Sequence, residues 1–102
     1  MKKEFGFFSW MPYENSKDDF EEYKKLKNKI PKEKVIAHME SLEPWATSLP
    51  GKDPFTGERL QSGVYDDGEF LFPMDFVHYF KNYEIGIPYE YEQYLEGLNN
   101  GI

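Results

Sequence analysis

The stretch GVYDDGEFLFPMDFVHYFKNYEIGIPYEYEQYL, residues 63–95, decides the fold because it holds a hairpin signal followed by two helical patterns. Asp66-Asp67-Gly68 lies between alternating apolar residues, which is typical of a tight turn between two antiparallel strands. In that hairpin Phe70 and Phe72 would share one face of the sheet. Pro73 and Pro88 each suit the start of a helix, since proline has a preset φ and needs no hydrogen-bonded N–H there.

The first helical pattern after the hairpin covers residues 74–84. At 100° per residue, Phe76, Phe80 and Tyr83 lie within about 60° of one another, so they form the predicted buried arc. Asp75 and His78 fall on the opposite arc, which predicts that the His78 side chain is exposed.

The last helical pattern separates one tyrosine from the others. The predicted buried arc consists of Tyr91, Tyr94, Leu95 and Leu98. The opposite arc consists of Tyr89, Glu92, Gln93 and Glu96. An aromatic ring among carboxylates on a solvent-exposed face is typical of a protein-binding surface, because tyrosine offers a large contact area at low entropic cost. An ordinary exposed tyrosine that packs on a neighbouring element is an equally weighted alternative.

Upstream of this stretch, the patterns predict a strand over residues 4–10 (EFGFFSW) and then two helices. The first helix is expected to start at an N-cap on Asn15 or Ser16 and to reach Ile30. Its lysines near the C-terminal end are read as a solvated face, because as many acids lie in the same helix. The second helix is expected to start at Pro31, with its apolar side formed by Val35, Ile36, Met39 and Leu42. His38 lies beside that stripe and is interpreted as structural.

Residues 43–62 interrupt the periodicity with several prolines and glycines. Such a long connection in a small domain tends either to be functional or to contain short elements. Asp53-Pro54-Phe55-Thr56-Gly57 predicts a turn. Trp45 and Phe55 are expected to pin the connection to the core. In total, residues 1–102 are predicted to form one small α+β domain, with a short antiparallel sheet, a hairpin near residues 64–72 and about four helices.

The charge of the chain is concentrated in its C-terminal part. Residues 60–102 contain eight carboxylates and one cation, Lys81, and so account for the whole net charge of −7, whereas residues 1–59 are neutral. This surplus repels nucleic acid and anionic membranes and favours basic partners. The chain has no cysteine and no apolar run near the about 20 residues that span a bilayer, so a cytoplasmic protein is expected.

No catalytic or metal-binding motif is visible. The two histidines, His38 and His78, lie forty residues apart, and the Asp66-Asp67-Gly68 segment lacks the acid spacing of a calcium loop. There is no phosphate-binding loop and no nucleophile elbow. We therefore expect a protein that is not an enzyme and that needs no cofactor or metal, although a small enzyme with an unrecognised pair of carboxylates in the 43–62 connection is left as an alternative.

Residues 62–95 resemble the C-terminal part of small bacterial immunity proteins, which are encoded beside polymorphic or contact-dependent growth-inhibition toxins. The likeness is carried by the G-x-Y-x-D-G-x-F-x-F-P-x-D-F run from Gly63 to Phe76 and by Y-x-I-x-I-P-x-E-Y from Tyr83 to Tyr91. It implies an inhibitor that binds the C-terminal domain of a cognate toxin, often a nuclease, and blocks its active site or its access to substrate. The family has no catalytic motif to transfer, and its binding residues vary with the toxin.

The leading hypothesis is therefore a monomeric inhibitor whose acidic, tyrosine-bearing surface docks on a basic toxin domain. The expected contact residues come from the helical wheel and the charge count: Asp66, Asp67, Glu69, Asp75, Tyr89, Glu92 and Glu96. A second hypothesis is a phage- or element-encoded mimic of nucleic acid that inhibits a nuclease. A third is a small enzyme with an unrecognised pair of carboxylates.

Overall fold

The predicted hairpin forms the centre of the sheet in a computed structural model, which describes residues 2–11, 13, 16–47, 51–60 and 63–98. Strand β5 (Gly63–Asp67) pairs with strand β6 (Phe70–Pro73) in antiparallel register, with Asp67 opposite Phe70. Gly68 has a φ of 64° in the turn between them. Phe70 and Phe72 are both buried, as the alternation predicted.

The central sheet is mixed rather than antiparallel. Its strand order is β1-β6-β5-β2, where β1 (Lys3–Glu4) runs parallel to β6 and β2 (Pro44–Thr47) runs antiparallel to β5. The parallel pairing joins Lys3 to Phe70, and a contact at that separation leaves no local signal in the sequence. The strand predicted over residues 4–10 is wrong in length, since β1 ends at Glu4. Gly6 has a φ of 78°, which interrupts the extended backbone.

The four helices in the described part of the chain are α1 (Phe20–Tyr23), α2 (Lys32–Glu40), α3 (Met74–Asn82) and α4 (Tyr89–Glu96). A proline occupies the N-cap position of α2, α3 and α4. Helix α1 is much shorter than predicted, since its N-cap is Asp19 and it ends at Tyr23 instead of Ile30. Asn15, the other predicted cap, lies outside the described residues.

The connection over residues 43–62 contains short strands. Besides β2, strands β3 (Gly51–Lys52) and β4 (Arg59–Leu60) pair as a small second sheet around the predicted turn at residues 53–57. The Phe55 ring contacts Trp10, Phe20 and Tyr83, as the prediction required. Its side chain is nevertheless 56% exposed, so it lies at the edge of the core. The Trp45 side chain lies outside what the structure describes.

One cluster of buried side chains, most of them aromatic, connects the helices with the sheet. Phe5 packs on Phe72 and Tyr91 with ring centroids 4.9 and 4.7 Å apart, and Phe8 lies 5.1 Å from Phe20. Each such ring buries a large apolar area, which compensates for the many charged residues of so short a chain. The predicted α+β class is thus confirmed.

We predict that Gly6→Ala destabilises the protein more than Gly57→Ala does. Both glycines have a φ of 78°, so each substitution carries the left-handed backbone cost of about 1–2 kcal/mol. A Cβ on Gly6 would also lie 2.6 Å from Cδ1 of the buried Phe76, whereas a Cβ on Gly57 meets nothing closer than 3.8 Å. Urea denaturation should show an additional loss of about 1–3 kcal/mol for Gly6→Ala. Equal losses would contradict the close approach of Gly6 to Phe76.

Candidate functional site

Tyr89, the first residue of α4, presents its ring to solvent, as the wheel predicted. The side chain is 51% exposed, and its hydroxyl accepts a hydrogen bond of 3.2 Å from the Lys27 N–H. We call the cavity of about 370 Å³ beside the ring the Tyr89 groove. The other residues that line it are Glu22, Tyr23, Leu26, Pro88 and Glu90. The Tyr89 ring, positioned by the hydrogen bond to its hydroxyl, thus lies in a largely apolar groove that is also lined by the carboxylates of Glu22 and Glu90.

Part of the predicted acidic surface lies at the hairpin turn, against which α4 packs. Glu69 is exposed, and the half-buried Asp66 forms a 2.6 Å ion pair with Lys2. The Tyr94 hydroxyl of α4 lies against Gly68 in that turn. On the surface of α4, Glu90 forms an exposed 2.7 Å ion pair with Lys3, and it raises the pKa of Lys3. The hairpin turn and α4 therefore share one face, whose negative charge is partly neutralised by Lys2 and Lys3.

Glu92 is not on this surface, which corrects the prediction from the helical wheel. Its side chain is only 5% exposed, and Oε2 accepts hydrogen bonds from the N–H groups of Lys29 at 2.5 Å and Ile30 at 3.0 Å. Burial alone would raise the pKa of Glu92, but the hydrogen bonds to the carboxylate outweigh it and the pKa is lowered. A helical wheel describes a single helix. It therefore cannot show that the backbone at Lys29 and Ile30, which lies far away in sequence, packs on the polar arc of α4.

Asp67 is also buried, contrary to the prediction that it contacts a partner. Its Oδ2 accepts hydrogen bonds from the Tyr91 hydroxyl at 2.7 Å and from His38 Nε2 at 2.9 Å. Burial, followed by the hydrogen bond to Asp67, raises the pKa of Tyr91. The carboxylate thereby connects β5 with α2 and α4, and His38 has the structural role that was expected.

A second network of the same composition holds the turn at residues 53–57. Asp53 is fully buried, and its Oδ2 accepts hydrogen bonds of 2.8 Å from both His78 Nε2 and the Tyr83 hydroxyl. Its Oδ1 accepts hydrogen bonds from the N–H groups of Phe55 and Thr56. The prediction of an exposed His78 was therefore wrong: its side chain is only 18% exposed, because it faces Asp53.

Asp75, the remaining predicted contact residue, lies in the wall of a separate cavity of about 400 Å³, which we call the acidic cleft. The residues that line the cleft are Glu40, Glu58, Leu60, Tyr65, Met74, Asp75, Val77, His78, Lys81 and Asn82. Asp75 is only 3% exposed, and its Oδ1 accepts a hydrogen bond of 3.2 Å from the Tyr13 hydroxyl. Burial raises the pKa of Asp75 from 3.8 to about 6.

The structure therefore divides the seven predicted contact residues into two sets. Those at least partly exposed are Asp66, Glu69, Tyr89 and Glu96, and those buried are Asp67, Asp75 and Glu92. Glu22 and Glu90, which line the Tyr89 groove, were missed. Glu90 follows Tyr89 directly and carried a usable signal, whereas Glu22 is brought there only by the tertiary fold.

No protein-family model, curated protein or solved structure matches this chain. Among the residues that the structure describes, no group of three or more His, Cys, Asp or Glu side chains could hold a metal ion. None of the helices in the described ranges is long and apolar enough to cross a membrane.

We predict that Glu92→Ala lowers the free energy of unfolding by about 3 kcal/mol, because hydrogen bonds to a charged group contribute about 1.5–3 kcal/mol and two partly buried N–H groups would lose their acceptor. Glu96→Ala is the matched control on the same helix, and as an exposed position it should change stability by less than about 0.5 kcal/mol. Urea denaturation at neutral pH measures both. Similar values for the two variants would place Glu92 on the surface after all.

A further prediction concerns the pH dependence of stability. Because the pKa of Asp75 is about 6 in the folded state and 3.8 is its ordinary value, the native state binds an extra proton between these pH values. The free energy of unfolding should therefore fall by about 3 kcal/mol as the pH rises through this window. Asp75→Asn keeps the shape and cannot ionise, so it should be more stable than the parent at pH 7 and lack this pH dependence. An unchanged pH profile would contradict the raised pKa.

Proposed function

We propose that the chain is an immunity protein, an inhibitor that binds a cognate bacterial toxin domain through the Tyr89 groove and the exposed carboxylates around it. The observation that carries the proposal is the exposed, positioned Tyr89 ring in an apolar groove with Glu22 and Glu90. Such an arrangement supports a protein-binding role, since aromatic anchors within a polar rim dominate the binding energy of many interfaces.

The surface charge supports a basic partner, such as a nuclease domain. Glu69, Glu90 and Glu96 are exposed, and negative charge of this kind accelerates association with a positive surface. The ion pair of Glu90 with Lys3 is exposed and therefore contributes little, so a cation of the partner can replace Lys3 without a large cost. Inhibition would follow by occlusion of the toxin's active or substrate-binding site, over about 800 Å² on each partner.

An inhibitor of this type would act in the bacterial cytoplasm, as a monomer until it meets the toxin. The alternative, a mimic of nucleic acid, requires a dense array of surface carboxylates. Three of the eight C-terminal carboxylates, Asp67, Asp75 and Glu92, are buried in hydrogen-bonded positions, and this favours the anchor-based inhibitor over the mimic.

A second candidate function is a small hydrolytic enzyme that uses the acidic cleft. The observation that favours it is the raised pKa of Asp75, about 6, in a cavity that also contains His78 and the Glu58 carboxylate from the 43–62 connection. A protonated carboxyl beside a carboxylate is the arrangement that glycoside hydrolysis uses. Chromogenic aryl glycosides assayed between about pH 5 and 6 test this candidate: hydrolysis that is lost in Asp75→Asn and Glu58→Gln would support it, and absence of hydrolysis would remove it.

The inhibitor is tested with the protein encoded by the adjacent reading frame, co-expressed and then titrated by calorimetry. We expect a tight complex, and we expect Tyr89→Ala to weaken it by about 2 kcal/mol or roughly 30-fold, as for an anchor residue. Tyr89→Phe keeps the ring and should retain most of the affinity. Circular dichroism of each variant separates a loss of binding from a loss of folding.

The electrostatic part of the proposal has its own control. Glu90→Gln should slow association, whereas Glu33→Gln, an equal charge change at an exposed position of α2, should not. Raising the salt concentration from about 50 to 300 mM should slow association of the parent protein for the same reason. An adjacent protein that is neither toxic nor bound, or a complex insensitive to Tyr89→Ala, would refute the assignment.

A further inference from the structure

The second strongly exposed aromatic side chain in the described residues, Phe55, borders a cavity of its own. We call this cavity, with a volume of about 490 Å³, the Phe55 groove. The residues that line it are Phe20, Lys24, Lys27, Phe55, Tyr83 and Glu84. The Phe55 ring centroid lies 5.5 Å from that of Phe20 and 5.4 Å from that of Tyr83, so three aromatic rings meet there. A cavity of this size and composition is in the range of small-molecule sites.

The position of Phe55 is fixed by the buried Asp53 network. The Asp53 carboxylate binds the N–H groups of Phe55 and Thr56, and it also accepts hydrogen bonds from His78 and Tyr83, so it connects the turn to α3 and to the residue that follows it. Tyr83 thus contributes its hydroxyl to the network and its ring to the groove. The groove is therefore formed before any ligand arrives, which lowers the entropic cost of binding.

Two of the residues that line the groove, Lys24 and Lys27, belong to a run of lysines that follows α1. Lys24, Lys25, Lys27 and Lys29 follow one another with no acid between them. Because α1 ends at Tyr23, these lysines do not alternate with carboxylates around one helix, which was the reason for reading them as a solvated face. Lys24 pairs with Glu21 at 3.0 Å and lies 5.4 Å from the Phe20 ring. The ammonium of Lys27 forms no ion pair with any carboxylate in the described ranges.

We infer that the Phe55 groove binds a small planar aromatic anion. The aromatic ring of the ligand would pack against Phe55 and Tyr83, and its anionic group would face Lys27, with Lys24 beside it. Lys24 is already paired with Glu21, and Glu84 is the carboxylate among the lining residues. The preference for an anion over a cation of the same shape therefore rests on Lys27, whose ammonium forms no ion pair with a carboxylate in the described ranges. The ring contacts distinguish such a ligand from a simple inorganic anion, because stacking on aromatic side chains requires a π-face. This inference does not depend on the proposed inhibitor function, since it involves a different cavity.

The test separates the ring from the charge. Adenosine monophosphate and indoleacetate each combine a planar ring with an anionic group, adenosine and indole lack the charge, and ribose phosphate lacks the ring. Titrations of the full chain are followed by the amide chemical shifts in NMR. We expect the two aromatic anions to bind at least tenfold more tightly than the other three probes, with shift changes confined to residues 20–27, 53–57 and 83–84.

Two variants and one control assign the site. Phe55→Ala removes a ring that is more than half exposed and should weaken binding of both aromatic anions at least tenfold. Because that ring also packs on other aromatic rings, the melting temperature should fall, but the circular dichroism spectrum at room temperature should remain that of the folded parent. Lys27→Gln should reduce the preference for adenosine monophosphate over adenosine, whereas Lys34→Gln, an exposed lysine of α2, should leave it unchanged. Equal affinity for all probes, or binding that persists in Phe55→Ala, would overturn the inference. Binding of the uncharged rings as tightly as the anions would overturn it too and would indicate an apolar docking surface for a protein.

Discussion

A carboxylate that is removed from water has to receive hydrogen bonds, and this requirement governs how the segments of the molecule are arranged around its aromatic core. Asp53 holds the 53–57 turn against α3 and Tyr83, Asp67 connects the hairpin with α2 and α4, and Glu92 binds the backbone that follows α1. Each carboxylate accepts donors from segments far apart in sequence. Irregular parts of the chain are therefore connected to the helices by hydrogen bonds to carboxylates, although they contain little regular structure.

The same requirement limits what the negative charge can do at the surface. The C-terminal acids look like one recognition surface when they are counted along the chain, but several of them have internal partners. What remains outside is a few carboxylates, of which Glu90 lies in the groove beside the well-positioned Tyr89. A partner would consequently be recognised by the shape of the groove and its aromatic ring at least as much as by long-range attraction. Mimicry of a polyanion would need more charge than this surface retains.

Local patterns were sufficient for the elements whose partners are near in sequence. The β5–β6 hairpin, the proline-started helices and the exposure of Tyr89 follow from turn chemistry, a fixed φ and a 3.6-residue period. Several of the errors share one cause, which is a contact across many residues. Strand β1 is paired by β6. The backbone N–H groups of Lys29 and Ile30, which were expected to lie in the first helix, bind Glu92 instead of helical carbonyls, and His78 is covered by Asp53. No periodicity within a single element carries that information.

The contact between Glu92 and the segment after α1 also bears on the order in which the molecule assembles. Its donors and its acceptor are separated by 63 and 62 residues. Closing such a loop costs more chain entropy than forming a helix or a hairpin, so contacts of this kind form late in folding. The ribosome synthesises the N-terminal part of the chain first. We therefore expect residues 24–30 to remain without their native hydrogen bonds to Glu92 until nearly all of the domain has emerged. The N–H groups of Lys29 and Ile30 gain their acceptor only when α4 docks.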